Sequence, residues 1–379
     1  MNPNIIRVGI VGLGGIARHY HLPSYRRYKE VQVVAGADIS EQAQRAAQQE
    51  YAISRVYTDY QEMLDREELD LISICTSNDM HYPVAMAAIE RGIDIYCEKP
   101  LALTFSEAKE MYEAARRAGI KTGVNFSHRR TPASRLAKEI LDSGALGDIH
   151  YVSALYAAGG TDYRHRPGTW RNVRERAGFG GLGDMGSHVL DMMMWWLGCG
   201  VEAVTAAMTT IVPDRLDRDS GQPMRVTTED QGMLLLRYAN SALGYLYGGY
   251  VFTGRGYDQR AEVYGSDGGL MYDQQRPYEL LVHLPETYLR HYHVLRAGGT
   301  RDTPYTRILV PERHLGIIPE EPGSRRTVLM DFIDAYLESR RSGKPFQFSP
   351  GFYEGLATQE ILEASRRGEL ARCWISLPL

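Results

Sequence analysis

The chain has 379 residues, 44% hydrophobic and 24% charged, with a formal net charge of -4. That balance is globular and long enough for two cores, and it lacks the basic excess that a nucleic-acid or anionic-membrane partner needs. No apolar run reaches the roughly 18 residues of a membrane span, and "MNPNIIRVGIVGLGG" shows no basic-then-apolar leader.

The first third alternates short apolar runs with helical patterns. Arg7–Leu13 reads as a buried strand, and a helix follows Gly15. Val31–Asp38 is a second strand, and Ser40–Glu50 a helix opened by a serine cap. Leu69–Thr76, Ile93–Pro100 and Ile120–Phe126 are further strands. Helices are expected over "MHYPVAMAAIERG" and over "TFSEAKEMYEAARRAG", the latter with a capping signal and a Gly119 stop. This alternation predicts a doubly wound parallel sheet with helices on both faces across residues 1–126, an α/β domain.

Beyond Phe126 the pattern changes. A helix over Pro132–Ser143 precedes the alternating "GDIHYVSALYA". Strands then recur over Val201–Val212, Val226–Tyr238, Leu243–Phe252, Arg260–Tyr264 and Leu270–Asp273, with no helix between them. Residues 127–379 are therefore expected to form an α+β domain with a mostly antiparallel sheet. Helices near Arg325–Arg340 and Phe352–Arg366 close the chain. Pro285–Gly323 is long, Pro-rich and without a clear pattern.

"GIVGLGGIARHY" holds Gly12, Gly14 and Ala17 in the GxGxxA form of a dinucleotide fingerprint. Gly12 permits a tight turn, Gly14 lets backbone approach a diphosphate, and Ala17 lets the helix lie close to the sheet. Asp38 ends the next strand, where a carboxylate takes ribose hydroxyls and repels a 2'-phosphate. Ile39 and Ser40 add no cation, so NAD is expected over NADP. Lys99, in Glu98-Lys99-Pro100, follows a buried strand and is aimed at the carboxyl end of the sheet, where such folds bind ligands.

These motifs, with "TSNDMH" (Thr76–His81), "EKPLALT", "GALGDI", "GDMGSH" and "AEVYGSDGGL" in order, resemble the glucose-fructose oxidoreductase / inositol dehydrogenase / MocA family. The resemblance implies an N-terminal Rossmann domain and a C-terminal domain with a large open sheet, often used for oligomer contacts. A homo-oligomer, dimer or tetramer, is thus expected. It also implies that helix 352–366 packs back near the first domain, and that the chain carries out NAD(P)-linked oxidation of a sugar or polyol hydroxyl. Cofactor contacts carry over onto Gly12, Gly14, Gly15, Ile16, Asp38, Thr76, Asn78, His81, Glu98, Lys99 and Asn125. The long segment Pro285–Gly323 and the Arg-rich Tyr163–Arg176 depart from the family pattern.

The segment "GFGGLGDMGSHVLDMMMWWLG" places Asp184, His188 and Asp191 four and seven residues apart. On a helix starting near Asp184 they form one polar stripe on an otherwise apolar surface. Hydride transfer from an alcohol needs a base for the hydroxyl proton, which a neutral histidine supplies. Resemblance carries catalysis onto Lys99, Asp184 and His188, and leaves Asp191 structural. A solvated Asp–His pair and a zinc site are the competing readings, but no further clustered ligand supports a metal. Substrate contacts are expected from Lys99, His128, Arg129, Asp162, Tyr163, Trp170, Asp184 and His188. The arginines of Thr161–Arg176 admit an anionic sugar as well as a solvated face.

Three functions share these features: an NAD-dependent sugar or polyol dehydrogenase, an NAD-dependent glycosidase working by transient oxidation, and a non-catalytic dinucleotide sensor. Retention of Lys99, Asp184 and His188 together favours the first. The cysteines Cys75, Cys97, Cys199 and Cys373 lack CxxC or zinc spacing and read as reduced thiols, so a cytoplasmic location is expected.

Overall fold

The protein is described from a computed structural model, over residues 5–297, 305–318 and 325–379. The chain divides into two compact units: Met1–Phe126 with Thr327–Gln359, and Ser127–Arg326 with Glu360–Leu379.

In the first unit, strands β1 (Ile6–Val11), β2 (Val31–Ala37), β3 (Arg55–Tyr57), β4 (Leu71–Ile74), β5 (Asp94–Cys97) and β6 (Thr122–Val124) form a parallel sheet in the order β3-β2-β1-β4-β5-β6. The order reverses between β1 and β4, which makes the carboxyl ends of these strands the binding edge of the fold. β4 and β5 are buried throughout, as strands covered on both faces must be. Helix Phe105–Ala118 opens with a Thr104–Glu107 capping box and stops at Gly119 with φ 70°. It packs with helix His81–Glu90 on one face of the sheet.

The other face is covered by the residues that follow the glycine loop and by helix Val328–Ser342. Leu329, Phe332, Ile333, Tyr336 and Leu337 form its apolar stripe, at the i, i+3, i+4, i+7, i+8 spacing of an amphipathic helix. Tyr336 donates to Asp94 at 2.7 Å, and Arg340 pairs with Asp70 at 2.8 Å. Thr327–Gln359 therefore groups with the first unit rather than with residues 127–326. An amphipathic stripe declares that a helix needs a partner but not which one.

The second unit adds β7 (Ile149–Gly160), β8 (Val201–Thr209), β9 (Asp214–Leu216), β10 (Pro223–Arg225), β11 (Gln231–Tyr238), β12 (Leu243–Thr253), β13 (Asp258–Gly265), β14 (Gly269–Asp273), β15 (Glu279–His283), β16 (Val294–Ala297), β17 (Thr306–Leu309) and β18 (Ile375–Ser376). Strands β9 and β10 form a small ribbon. The others form one sheet in the order β16-β17-β15-β14-β13-β7-β12-β11-β8-β18, in which only the β7–β12 pair is parallel. One face alternates inward: Gly232, Leu234, Leu236 and Tyr238 of β11 are buried, while Met233, Leu235 and Arg237 are exposed. Helices Pro132–Asp142 and Ser187–Leu197 cover the buried face, with Trp196 donating to the Ser134 carbonyl at 3.0 Å.

The segment without a clear pattern is not a plain loop. It builds a short helix (Glu286–Leu289), the edge strand β16 and its neighbour β17, and a turn of helix (Glu312–Leu315). Its positions 298–304 and 319–323 lie outside the described residues. Arg313 and His314 clamp Glu139 of the second unit, and the Arg313 hydrogen bond outweighs burial to hold that carboxyl down at about 2. Helix Phe352–Ala371 buries Phe352 in the first unit and Ile361, Leu362 and Ala364 in the second. All four cysteines are free. Among the described residues, no helix is long and apolar enough to cross a membrane, and no cluster of His, Cys, Asp and Glu could hold a metal ion.

Candidate active site

In the first unit, Gly12 closes the β1 turn with φ +89°, and a Cβ there would lie 2.7 Å from the Cys75 carbonyl carbon. A side chain is thus excluded by both strain and space. A Cβ on Gly14 would meet nothing within 4 Å. The structure leaves that side open, as a cradle for a diphosphate at a helix start requires. Asp38 accepts from the Leu13 amide at 2.7 Å and from the Ser40 amide at 2.8 Å. The carboxylate shapes the glycine loop, and its remaining lone pairs suit ribose hydroxyls. Gly15 and Ile16 open the helix, and Ile16 is exposed.

Thr76 follows β4 half-buried, and Asn78 begins a single 3₁₀ turn. His81 is fully buried, and its Nδ1 lies 2.9 Å from the Pro100 carbonyl oxygen. Burial lowers its pKa below the ordinary histidine value, outweighing that bond. With no exposed surface, His81 braces the Glu98-Lys99-Pro100 turn through the Pro100 carbonyl. Glu98 and Asn125 are also buried, and bonded to one another: Asn125 Nδ2 donates to Glu98 Oε1 at 2.7 Å. Lys99 stands half-exposed beside them.

In the second unit, the segment carrying the polar stripe starts differently from an α-helix. Leu182–Gly186 forms a π-helical turn, and the α-helix runs only from Ser187 to Leu197. The wider turn sits where Gly186 lies against Gly248 of β12. A Cβ on Gly248 would come within 2.8 Å of the Gly186 nitrogen, and one on Gly181 within 2.4 Å of the Asp230 carbonyl oxygen. These glycines let backbone pack on backbone. Glu229 completes the arrangement, its buried Oε1 accepting from Gly180 N at 2.7 Å and Leu182 N at 3.0 Å. Burial pushes its carboxyl up to about 7 despite those bonds.

Asp184 accepts from the Tyr250 hydroxyl at 2.9 Å, with Arg171 Nε 3.7 Å away. Burial and then Asp184 raise the Tyr250 phenol far above its usual value, so it stays a donor. His188 is buried and stacks on His128, with centroids 4.2 Å apart and planes 23° apart. Tyr156 closes on both rings. The His128 Nδ1–H donates to Gln259 Oε1 at 2.7 Å. Asp191 leaves the stripe: Arg129 binds it through Nε (2.7 Å) and Nη2 (2.5 Å), both residues are buried, and the guanidinium lies over Trp195. That pair is a core brace of the second unit.

The Arg-rich loop divides. Tyr163 is buried beneath Arg215, which also binds its carbonyl oxygen. Asp162 is exposed and paired with His165. Trp170 is half-buried under the Arg171 guanidinium, 4.3 Å from ring centroid to Cζ. Through Arg171, Trp170 is linked to Asp184; Tyr163 and Asp162 have other partners.

Sequence reasoning missed His21, Tyr156, Gln259 and Glu229. Tyr156 and Gln259 face each other across β7 and β13, a pairing that no local pattern reveals. Tyr250 follows Tyr245 and Tyr247 on β12. The register of β12 against β7 shifts between Gly249 and Phe252, which re-aims Tyr250.

Comparison with known proteins matches residues 6–126 to the oxidoreductase family with an NAD-binding Rossmann fold, and residues 134–271 to the GFO/IDH/MocA C-terminal domain. The chain belongs to the Gfo/Idh/MocA oxidoreductase family. It is 30% identical to levoglucosan dehydrogenase of Pseudarthrobacter phenanthrenivorans over 85% of this chain and 83% of that one. It is 26% identical to myo-inositol 2-dehydrogenase of Thermotoga maritima over 72% of this chain and 76% of that one. A solved levoglucosan dehydrogenase in complex with NADH and L-sorbose superposes with a TM-score of 0.85 at 26% identity, covering 98% of this chain and 99% of the other. The first unit is thus an NAD-binding Rossmann domain, and the open cradle at Gly12–Ala17 with Asp38 fits that cofactor.

Proposed function

We propose that this oxidoreductase oxidises a secondary hydroxyl of a neutral sugar, anhydrosugar or cyclic polyol to a ketone. The observation that carries the reading is the pair Asp184 and His188 at the start of one otherwise apolar helix, each held by its own partner. His188, held by its stack on His128, accepts the hydroxyl proton. Lys99 holds the substrate oxygen and stabilises developing alkoxide charge. Asp184, aligned by Tyr250, anchors a neighbouring hydroxyl. NAD, when bound, supplies the hydride acceptor. Relatives named levoglucosan dehydrogenase, myo-inositol 2-dehydrogenase and D-glucoside 3-dehydrogenase support the substrate class. A neutral substrate is supported by Arg171, whose guanidinium lies over Trp170 and 3.7 Å from Asp184.

The test is a screen of anhydrosugars, aldoses, glucosides and inositols for NADH formation, with Lys99→Ala and His188→Ala alongside. Each variant should lose about 10²–10⁴-fold in kcat. Wild-type rates in both would refute the mechanism. Retained NAD, no net NADH and release of a sugar leaving group would mark a glycosidase instead. Cofactor binding without any turnover would mark a sensor.

The assembly we expect is a homo-oligomer, dimer or tetramer, formed on the open face of the sheet. Tyr151, Met233, Leu235 and Leu243 are exposed there on adjacent strands. Sedimentation of the intact chain as a monomer would dismiss that. The four free thiols suit a reducing, cytoplasmic compartment.

A further inference from the structure

Behind Lys99 the first unit holds a buried polar chain that the proposed chemistry does not use. His21 ends the π-helical turn Ala17–His21, a few residues after the glycine loop, and has no exposed surface. Its Nε2 lies 2.8 Å from Glu98 Oε1, and its Nδ1 3.1 Å from the Ser73 hydroxyl. Tyr25 OH lies 2.7 Å from the same hydroxyl. Asn125 donates to the same Glu98 oxygen, and Tyr96 donates to the Asn125 carbonyl at 3.1 Å. One arrangement of protons satisfies every bond. Tyr25 donates to Ser73, Ser73 to His21 Nδ1, and His21 donates from Nε2 to Glu98. Burial alone pushes the Glu98 carboxyl up, but the hydrogen bonds from His21 and Asn125, with Lys99 nearby, outweigh it and hold the carboxyl below its ordinary value.

We propose that His21 is a positioning residue: it keeps Glu98 an oriented carboxylate, and that carboxylate is the fixed counter-charge of the Lys99 ammonium. The inference rests on the reading of Lys99 as the catalytic lysine. Histidine suits the place because it is at once a donor toward the carboxylate and an acceptor from Ser73. Glutamine reproduces both ends without charge, leucine neither. Without the His21 donor, a buried Glu98 takes up a proton and Lys99 loses its anion.

The experiment uses the full chain and the variants His21→Leu, His21→Gln and Glu98→Gln. Trace acetylation with acetic anhydride at mildly alkaline pH, read at Lys99 by peptide mass spectrometry against the other lysines, reports the free amine without any turnover. Lys99 should label about threefold faster or more in His21→Leu and Glu98→Gln, and at the wild-type rate in His21→Gln. In turnover, kcat should fall about tenfold in the first two, with sugar KM and NADH affinity changed less than about threefold, and recover in His21→Gln. If His21→Leu fails to fold, the near-isosteric Glu98→Gln decides. Unchanged labelling of Lys99 in Glu98→Gln, or a His21→Gln variant as impaired as His21→Leu, overturns the proposal. Failure of the dehydrogenase reading shows separately, as a wild-type chain that forms no NADH or a Lys99→Ala variant that keeps its rate. The labelling result still judges the His21–Glu98–Lys99 linkage in that case.

Discussion

Replacing Glu229 with glutamine should flatten part of the pH dependence of stability. The Glu229 carboxyl is buried, titrates at about 7 in the folded chain, and starts from an ordinary value of 4.5. A folded value above the unfolded one means that the native state binds the extra proton between those two limits. The stability this group contributes is therefore complete below the unfolded value, falls as pH rises through the window, and is fully lost above about 7. At 1.36 kcal/mol per unit, the window corresponds to about 3 kcal/mol. Glutamine keeps an acceptor for Gly180 N and Leu182 N but cannot ionise. Urea melts of both proteins from about pH 5 to about pH 8 should diverge, with Glu229→Gln gaining most of those kilocalories relative to wild type at the alkaline end. Every other titrating group contributes equally to both proteins and cancels in the difference. Parallel curves across the window would refute the burial argument. A Glu229→Ala control should lose stability at every pH, because two buried amides then lose their acceptor.

Asp38→Ala with Ile39→Arg should raise NADP affinity relative to NAD by an order of magnitude or more, measured by fluorescence titration, because the repelling carboxylate goes and a cation arrives. An unchanged ratio would remove Asp38 from cofactor choice. Arg129→Met should cost about 3–5 kcal/mol by taking the guanidinium away from the buried Asp191 carboxylate, whereas Arg129→Met with Asp191→Leu should cost far less. Equal losses in the single and double variants would contradict the brace. Gly248→Ala should destabilise the second unit and lower kcat together, since its Cβ meets the Gly186 backbone at 2.8–2.9 Å. A wild-type melting temperature in that variant would show the close approach to be slack.

The local signals were legible wherever one stretch of chain carries its own constraint. Alternating apolar runs and caps declare the parallel sheet, and the turn at Gly12 needs a residue that tolerates φ +89°. Glu98-Lys99-Pro100 and the Asp184–His188 spacing likewise mark chemistry from residue type alone. Tertiary structure decided what each polar group faces. Asp191, equal to Asp184 in the pattern, belongs to Arg129, which lies 62 positions away in sequence. The β12 irregularity turns Tyr250 onto Asp184, and the π-helical start of the helix follows from glycine packing on β12. Helix Val328–Ser342 advertised an apolar stripe that either sheet could have covered, and Phe332 and Tyr336 settled it on the first. His21 was an ordinary helix residue until Ser73 and Glu98 closed on its two nitrogens. Periodicity and φ preferences act over a few residues, so sequence determines elements and their punctuation. Hydrogen-bond partners and buried faces are chosen between elements distant in the chain, and only the packed structure makes that choice.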